Sequence, residues 1–281
     1  MDVASGASFT LGLRGNGQLV TWGVNTQNQS TIPPALSRVS FVEIAAGSTY
    51  AMGLTTTGKV FAWGSPMFGQ TSLPPAAKTG VQAIAAGVGH GLALRKNGVV
   101  IAWGRNDMGQ ANVRSGLLNV KAISAGSGYS LALLGDGTIK QWGKAMRLYP
   151  VPVAAYEIIA ISAGVDHALA LRSDGKVIAW GANQYGQTNV PWDLPPVVAV
   201  SAGLQYSLVV TNAAKVVGWG TNSYGQRTIP TGIRDIRGVA AGYANSAIAL
   251  NSGNVVTFGA KEFGALMTRT PVQSRYGEFR R

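Results

Sequence analysis

Apolar positions along this chain fall in short runs separated by glycine-centred breaks, and the breaks recur. An (A/S)-G pair ends at Gly6, Gly47, Gly87, Gly126, Gly164, Gly203 and Gly242, in steps of 41, 40, 39, 38, 39 and 39 residues. An aromatic-Gly pair keeps the same steps through Trp22, Trp63, Trp103, Trp142, Trp180, Trp219 and Phe258. Two markers moving in register define seven repeats, and a period near forty residues is a signature of repeat architectures.

Within the third repeat the text runs VQAIAAG, VGH, GLALR, KNG, VVIAWG, RNDMGQ, ANV. Val81 to Ala86, Gly91 to Arg95 and Val99 to Trp103 read as strands, and Asn97-Gly98 as a two-residue hairpin turn. Asn16-Gly17, Thr57-Gly58, Asp136-Gly137, Asp174-Gly175 and Ser252-Gly253 repeat that turn, and the sixth repeat departs from it with Ala213-Ala214. A later run such as Gln187 to Val190 is expected to add a fourth strand. One sheet of this size cannot bury both faces alone, so the expected fold is all-β, a seven-bladed β-propeller of four-stranded blades. Met1 to Gly6 aligns with Val42 to Gly47, so the chain begins on an innermost strand. The propeller is expected to span 1–269, leaving 270–281 as a basic tail or strap.

Composition supports short strands over long polar helices: Gly numbers 38 and charged residues make up only 12%, against a usual level of about 25%. The absence of Cys removes disulfides and thiolate metal sites. The first residues carry no basic start followed by an apolar run, and no stretch is long enough for a spanning helix, so the expectation is a soluble chain without membrane insertion. A net charge of +12 favours acidic proteins, nucleic acid or anionic surfaces as partners. The charges are scattered along the sequence, with the densest cluster in Arg269, Arg275, Arg280 and Arg281.

The pattern Ala86-Gly87, His90, Leu92, Asn97-Gly98, Trp103-Gly104, Asn106, Gly109-Gln110 resembles the regulator of chromosome condensation repeat family. The fifth repeat matches equally well through His167, Asp174-Gly175, Trp180-Gly181, Asn183 and Gly186-Gln187. The fourth keeps Trp142-Gly143 but reads KAMRLYP from Lys144 to Pro150, and the seventh has Phe258 for Trp and Ala265 for Gln. Repeat length and linkers look closer to the secreted β-lactamase-inhibitor branch than to the chromatin-bound exchange factors, whose repeats are longer and carry an inserted β-wedge. The resemblance implies a propeller, a fold shared by inhibitors, exchange factors and scaffolds, so function must be argued from the site.

Chemistry is sparse. His90 and His167 stand three residues after the repeat glycine, where other repeats carry Phe9, Tyr50, Tyr129, Tyr206 and Asn245, which points to packing. No close carboxylate pair, GxSxG, HExxH or phosphate-loop pattern occurs. The expectation is no catalytic residues, no metal site, no cofactor and no enzyme activity.

Because strands alternate in direction, the loops after the (A/S)-G and aromatic-Gly pairs share one rim and the hairpin turns share the other. Candidate partner-binding residues on the loop rim are Lys144, Met146, Arg147, Tyr149, Arg105, Met108, Tyr243 and Lys261, chosen as Arg, aromatic and off-pattern positions. Arg269, Arg275, Arg280 and Arg281 are candidate tail contacts. The leading expectation is a docking or structural subunit of a larger assembly, such as a viral particle or surface complex, with a protein partner that is acidic or part of a multi-subunit assembly. An enzyme inhibitor of the β-lactamase-inhibitor type is the alternative, followed by nucleic-acid or chromatin association and then GTPase exchange.

Overall fold

A computed structural model describes residues 2–144 and 149–260. They form seven antiparallel sheets of three strands each. In the third blade the inner strand is Val81–Ala86, the middle strand His90–Arg95 and the outer strand Val100–Gly104. The middle strand pairs with both neighbours, Gly91 opposite Ala86 and His90 opposite Gly104.

The expected fourth strand is not among the described elements. Gln187 to Val190 turns instead, with the Asn189 N–H on Gly186 O at 3.1 Å and the Val190 N–H on Thr188 O at 3.0 Å. Side chains complete this loop: Gln187 Oε1 accepts the Tyr185 N–H at 3.0 Å and Asn183 Oδ1 the Thr188 N–H at 3.0 Å. Donors that a fourth ladder needs are spent within the loop.

Middle strands are buried on both faces, as in Tyr206–Thr211, where every residue is covered. Continuous apolar runs rather than alternation follow from being sandwiched between two other sheets. Tyr50, Met52 and Leu54 of the second blade pack with Val81, Ile84 and Trp103 of the third. The cores therefore lie between blades, and a blade without a neighbour exposes an apolar face. The last blade meets the first through Val3, Ala240, Ala247 and Ala249, and Asn245 Nδ2 donates to Thr10 Oγ1 at 3.3 Å.

The repeat glycines meet around the axis. A Cβ added to Gly6, Gly47, Gly87, Gly126, Gly164, Gly203 or Gly242 would lie 2.4–2.7 Å from the carbonyl oxygen of the next glycine in that cycle, Gly242 facing Gly6. Real Cβ atoms do not approach this closely, so the spacing of the inner strands demands glycine. Main-chain bonds stitch the same belt, including Val88 N–H to Gly126 O, Val165 N–H to Gly203 O and Leu204 N–H to Gly242 O, each 3.1 Å.

The hairpins differ in detail from the two-residue turns expected. In the first, the Gly17 N–H reaches Arg14 O at 2.9 Å and the Arg14 N–H reaches Gln18 O at 2.8 Å. Gly17 has φ +80°, and Asn16 is not among the positive-φ residues. This is a three-residue loop, a type I turn closed by a left-handed residue. The sixth repeat makes the same turn with the Ala214 N–H on Thr211 O at 2.9 Å, which forces Ala214 to φ +53°. Left-handed geometry costs an L-residue on the order of 1 kcal/mol. Replacement A214G is expected to stabilise the ring by about that amount, raising the melting temperature by roughly 2–4 °C in a scanning calorimeter.

Candidate interaction rim

The position three residues after each repeat glycine holds Phe9, Tyr50, His90, Tyr129, His167, Tyr206 and Asn245, all buried. Six of the seven side chains bond forward to the next blade. Tyr50 Oη donates to His90 O and Tyr129 Oη to His167 O, each at 2.5 Å, and Tyr206 Oη donates to Asn245 O at 2.8 Å. His90 Nε2 meets Ser130 Oγ at 2.9 Å and His167 Nε2 meets Ser207 Oγ at 3.0 Å.

Those serines fix the histidine tautomers. Ser130 Oγ donates to Gln110 O and Ser207 Oγ to Gln187 O, both at 2.9 Å, so each hydroxyl accepts from an Nε2–H. The same carbonyls accept Trp142 Nε1–H and Trp219 Nε1–H at 2.9 Å. Nδ1 of both histidines is buried without a partner. Burial lowers both pKa values to about 4, so the rings are neutral near pH 7. Among the described residues no group of three or more His, Cys, Asp or Glu could hold a metal ion.

The fourth repeat lacks the Gln whose carbonyl receives the next tryptophan. Gln141 replaces it from the adjoining strand: its Oε1 accepts Trp180 Nε1–H at 3.0 Å and its Nε2 donates to Tyr149 O at 3.2 Å. The seam is thereby kept while the loop above it leaves the repeat pattern. Gln141 is not among the residues that the repeat motif marks. The available signal was a long amide side chain directly before Trp142-Gly143, where other repeats carry the smaller Thr21, Ala62, Ala102, Ala179, Gly218 or Thr257.

Beside that loop opens a cleft of about 250 Å³ lined by Met108, Ser127, Gly128, Tyr129, Lys144, Tyr149, Asp166, Ala182 and Gln184. Loops from the third, fourth and fifth blades thus bring together three expected residues, Met108, Lys144 and Tyr149, with Asp166 opposite in charge to Lys144. Ser127 and Gln184 stand at positions that vary between repeats, such as Ala7, Val88 and Leu204 for the first and Thr26, Asp107 and Ser223 for the second, so the repeat pattern does not mark them.

The other expected residues lie elsewhere. Arg105 is engaged by a bidentate pair with Asp107 at 2.9 and 2.7 Å, and its guanidinium lies 4.9 Å from the Phe68 ring centre. Tyr243 lines a separate opening of about 90 Å³ at the axis, among the glycine belt. Its hydroxyl pKa is raised by burial, with a hydrogen bond to Ser48 opposing. Met146, Arg147, Lys261, Arg269, Arg275, Arg280 and Arg281 lie outside the described residues. Among the described residues, no helix is long and apolar enough to cross a membrane.

The sequence profile of the regulator of chromosome condensation (RCC1) repeat matches residues 2–29, 41–70, 81–110, 158–187 and 197–226. The chain belongs to the RCC1-repeat family. The unmatched stretches contain the fourth and seventh repeats, the two that depart from the motif. No curated protein matches the chain in sequence. Among solved structures, the chain is similar to the entire ectodomain of the receptor kinase CR4 from Physcomitrella patens. There the identity is 19%, the coverage 92% of this chain and 74% of that one, and the TM-score 0.77. The CRINKLY WD40 ectodomain of the Arabidopsis thaliana receptor kinase ACR4 gives 23%, 92% and 95%, with a TM-score of 0.74. Prp20p from Saccharomyces cerevisiae, whose crystal structure was described with its binding to Gsp1p and histones, gives 19%, 86% and 80%, with a TM-score of 0.69. At these identities the likeness establishes the fold.

The buried histidines make stability depend on pH. Their folded pKa values lie below the unfolded value near 6.5, so their stabilising effect is full above about pH 6.5 and declines as pH falls toward 4. Going from pH 6.5 to 5 costs roughly 2 kcal/mol per histidine. Glu43 acts oppositely, because burial, aided by the charge of Asp2 and opposed by the Ile84 N–H bond, raises its pKa to about 7. A comparison with H90Y/H167Y, the residue other blades use there, isolates the histidines. Denaturant melts of this variant are expected to lose less stability than wild type between pH 6.5 and 5, and parallel losses would refute the assignment.

Proposed function

We propose that this chain is a non-enzymatic docking or structural subunit that recognises another protein through its loop rim. The observation that carries the reading is the cleft at the one internal blade whose loop abandons the repeat. There a thioether, an ammonium group, a phenol and a carboxylate surround a depression on a rigid frame. Amphipathic and flexible apolar side chains of this kind contribute strongly to protein contacts. A pocket framed by main-chain hydrogen bonds reaches binding geometry with little ordering cost.

The protein ligands of Prp20p, Gsp1p and histones, support a protein partner within this fold family. The net charge of +12 supports one rich in acidic groups, and a ring whose blades are all occupied by structural bonds suits a fixed component of a multi-subunit assembly. Met146 and Arg147 belong to this proposed contact by their position in the same loop, as do Lys261 and the tail arginines by charge. The propeller is assigned to 1–269 and the tail to 270–281.

The test is capture of partner protein from native extract on the immobilised chain, identified by mass spectrometry and quantified against M108A/K144A. Retention is expected to fall about tenfold or more in the variant, with its melting temperature unchanged. Equal retention by both proteins would remove the cleft from the interface.

A further inference from the structure

Along the sequence the charges look scattered, but the fold gathers exposed lysines at one rim. On the loop rim Arg105 is tied to Asp107, and Lys144 shares its cleft with Asp166. The opposite rim carries exposed Lys59, Lys96, Lys176 and Lys215 in or beside the hairpin turns.

A second feature lies on the same rim. Six inner strands carry a register shift after their first residue, at Phe41/Glu43, Val81/Ala83, Val120/Ala122, Ile158/Ala160, Val197/Ala199 and Ile236/Gly238. A bulge removes one residue from the ladder and re-aims its side chain. The residues removed are Val42, Gln82, Lys121, Ile159, Val198 and Arg237, all exposed. Val42, Ile159 and Val198 remain 50%, 59% and 59% accessible, where the other three blades carry polar side chains.

We propose that the hairpin-turn rim is a second docking surface, fitted to a protein whose face combines acidic groups with exposed apolar side chains. Apolar residues encircled by charged ones reproduce the layout of a protein interface. A phosphate backbone gains nothing from Val42, Ile159 and Val198. Asp136, Glu157, Asp174 and Asp235 also divide the cationic surface into separate patches, so it offers no continuous basic track for a phosphate backbone to follow, Asp174 lying 3.2 Å from Arg172 and 4.0 Å from Lys176. A protein surface of mixed charge accommodates both. This surface is independent of the loop-rim cleft, since the two open at opposite ends of every strand.

The experiment measures binding of the full chain to a glutamate–tyrosine copolymer, polyglutamate of equal length, short duplex DNA and phosphatidylserine vesicles at one ionic strength. The copolymer is expected to bind most tightly. V42S/I159S/V198S should weaken it about tenfold, to the level of polyglutamate. K59E/K96E/K176E/K215E should abolish binding of both polymers, and M108A/K144A should change neither, which separates failure of this surface from failure of the cleft. Thermal melts confirm that the exposed substitutions leave the ring folded. Equal binding of the two polymers, tighter binding of DNA or vesicles than of the copolymer, or indifference to the lysine reversals overturns the proposal.

Discussion

Everything in this ring hangs on how closely the seven inner strands approach the axis. Each repeat glycine faces the next glycine's carbonyl oxygen with room for no side-chain carbon. Once that spacing is set, the side chain three residues on lies within reach of the following blade, and tyrosine, histidine or asparagine forms the bolt. Trp63, Trp103, Trp142 and Trp219 of the outer strands then bond to a loop carbonyl of the blade before, as Trp103 does to Gln70 O at 2.8 Å. Burial between blades follows, since neither face of a middle strand touches water.

Because repeated residues are consumed by this framework, the freedom to bind rests with positions that leave it. The fourth repeat shows how the chain releases a loop without opening a seam. Gln141 moves the acceptor for Trp180 from a loop carbonyl to a strand side chain, and Lys144 and Tyr149 become available beside Met108. At the other rim the bulges do comparable work by taking one residue out of the ladder in six of the inner strands. The propeller is thus two-sided, with an apolar and mixed-charge cleft on one rim and exposed lysines beside exposed valine and isoleucine on the other.

The ring was legible in the sequence because its cause is periodic: the glycine belt and the aromatic-Gly pair are visible as spacing alone. The structural place of His90 and His167 was equally readable, since Tyr and Phe substitute for them in other repeats. Strand count was not, because Gln187 to Val190 has strand-like composition and only the side-chain bonds from Asn183 and Gln187 show where its donors go. Turn type was obscured by Asn-Gly and Asp-Gly pairs, which suit both two-residue and three-residue loops. For the candidate site, the departure at Lys144 marked the right blade, and the partners it meets, Met108 and Asp166, were recognisable only as members of the same rim. The gathering of lysines at one rim depends on strand direction at each of them, which no run of sequence displays.

The dependence of the ring on its axial glycines is tested most directly by the thermal unfolding of G164A against G15A. Gly164 lies outside the left-handed region, and an added Cβ would sit 2.5 Å from Gly203 O, whereas nothing lies within 4 Å of one added to Gly15. G164A is expected to lower the melting temperature by at least about 5 °C or to abolish a cooperative transition, with G15A within about 2 °C of wild type. A G164A protein that melts with wild type would contradict that dependence.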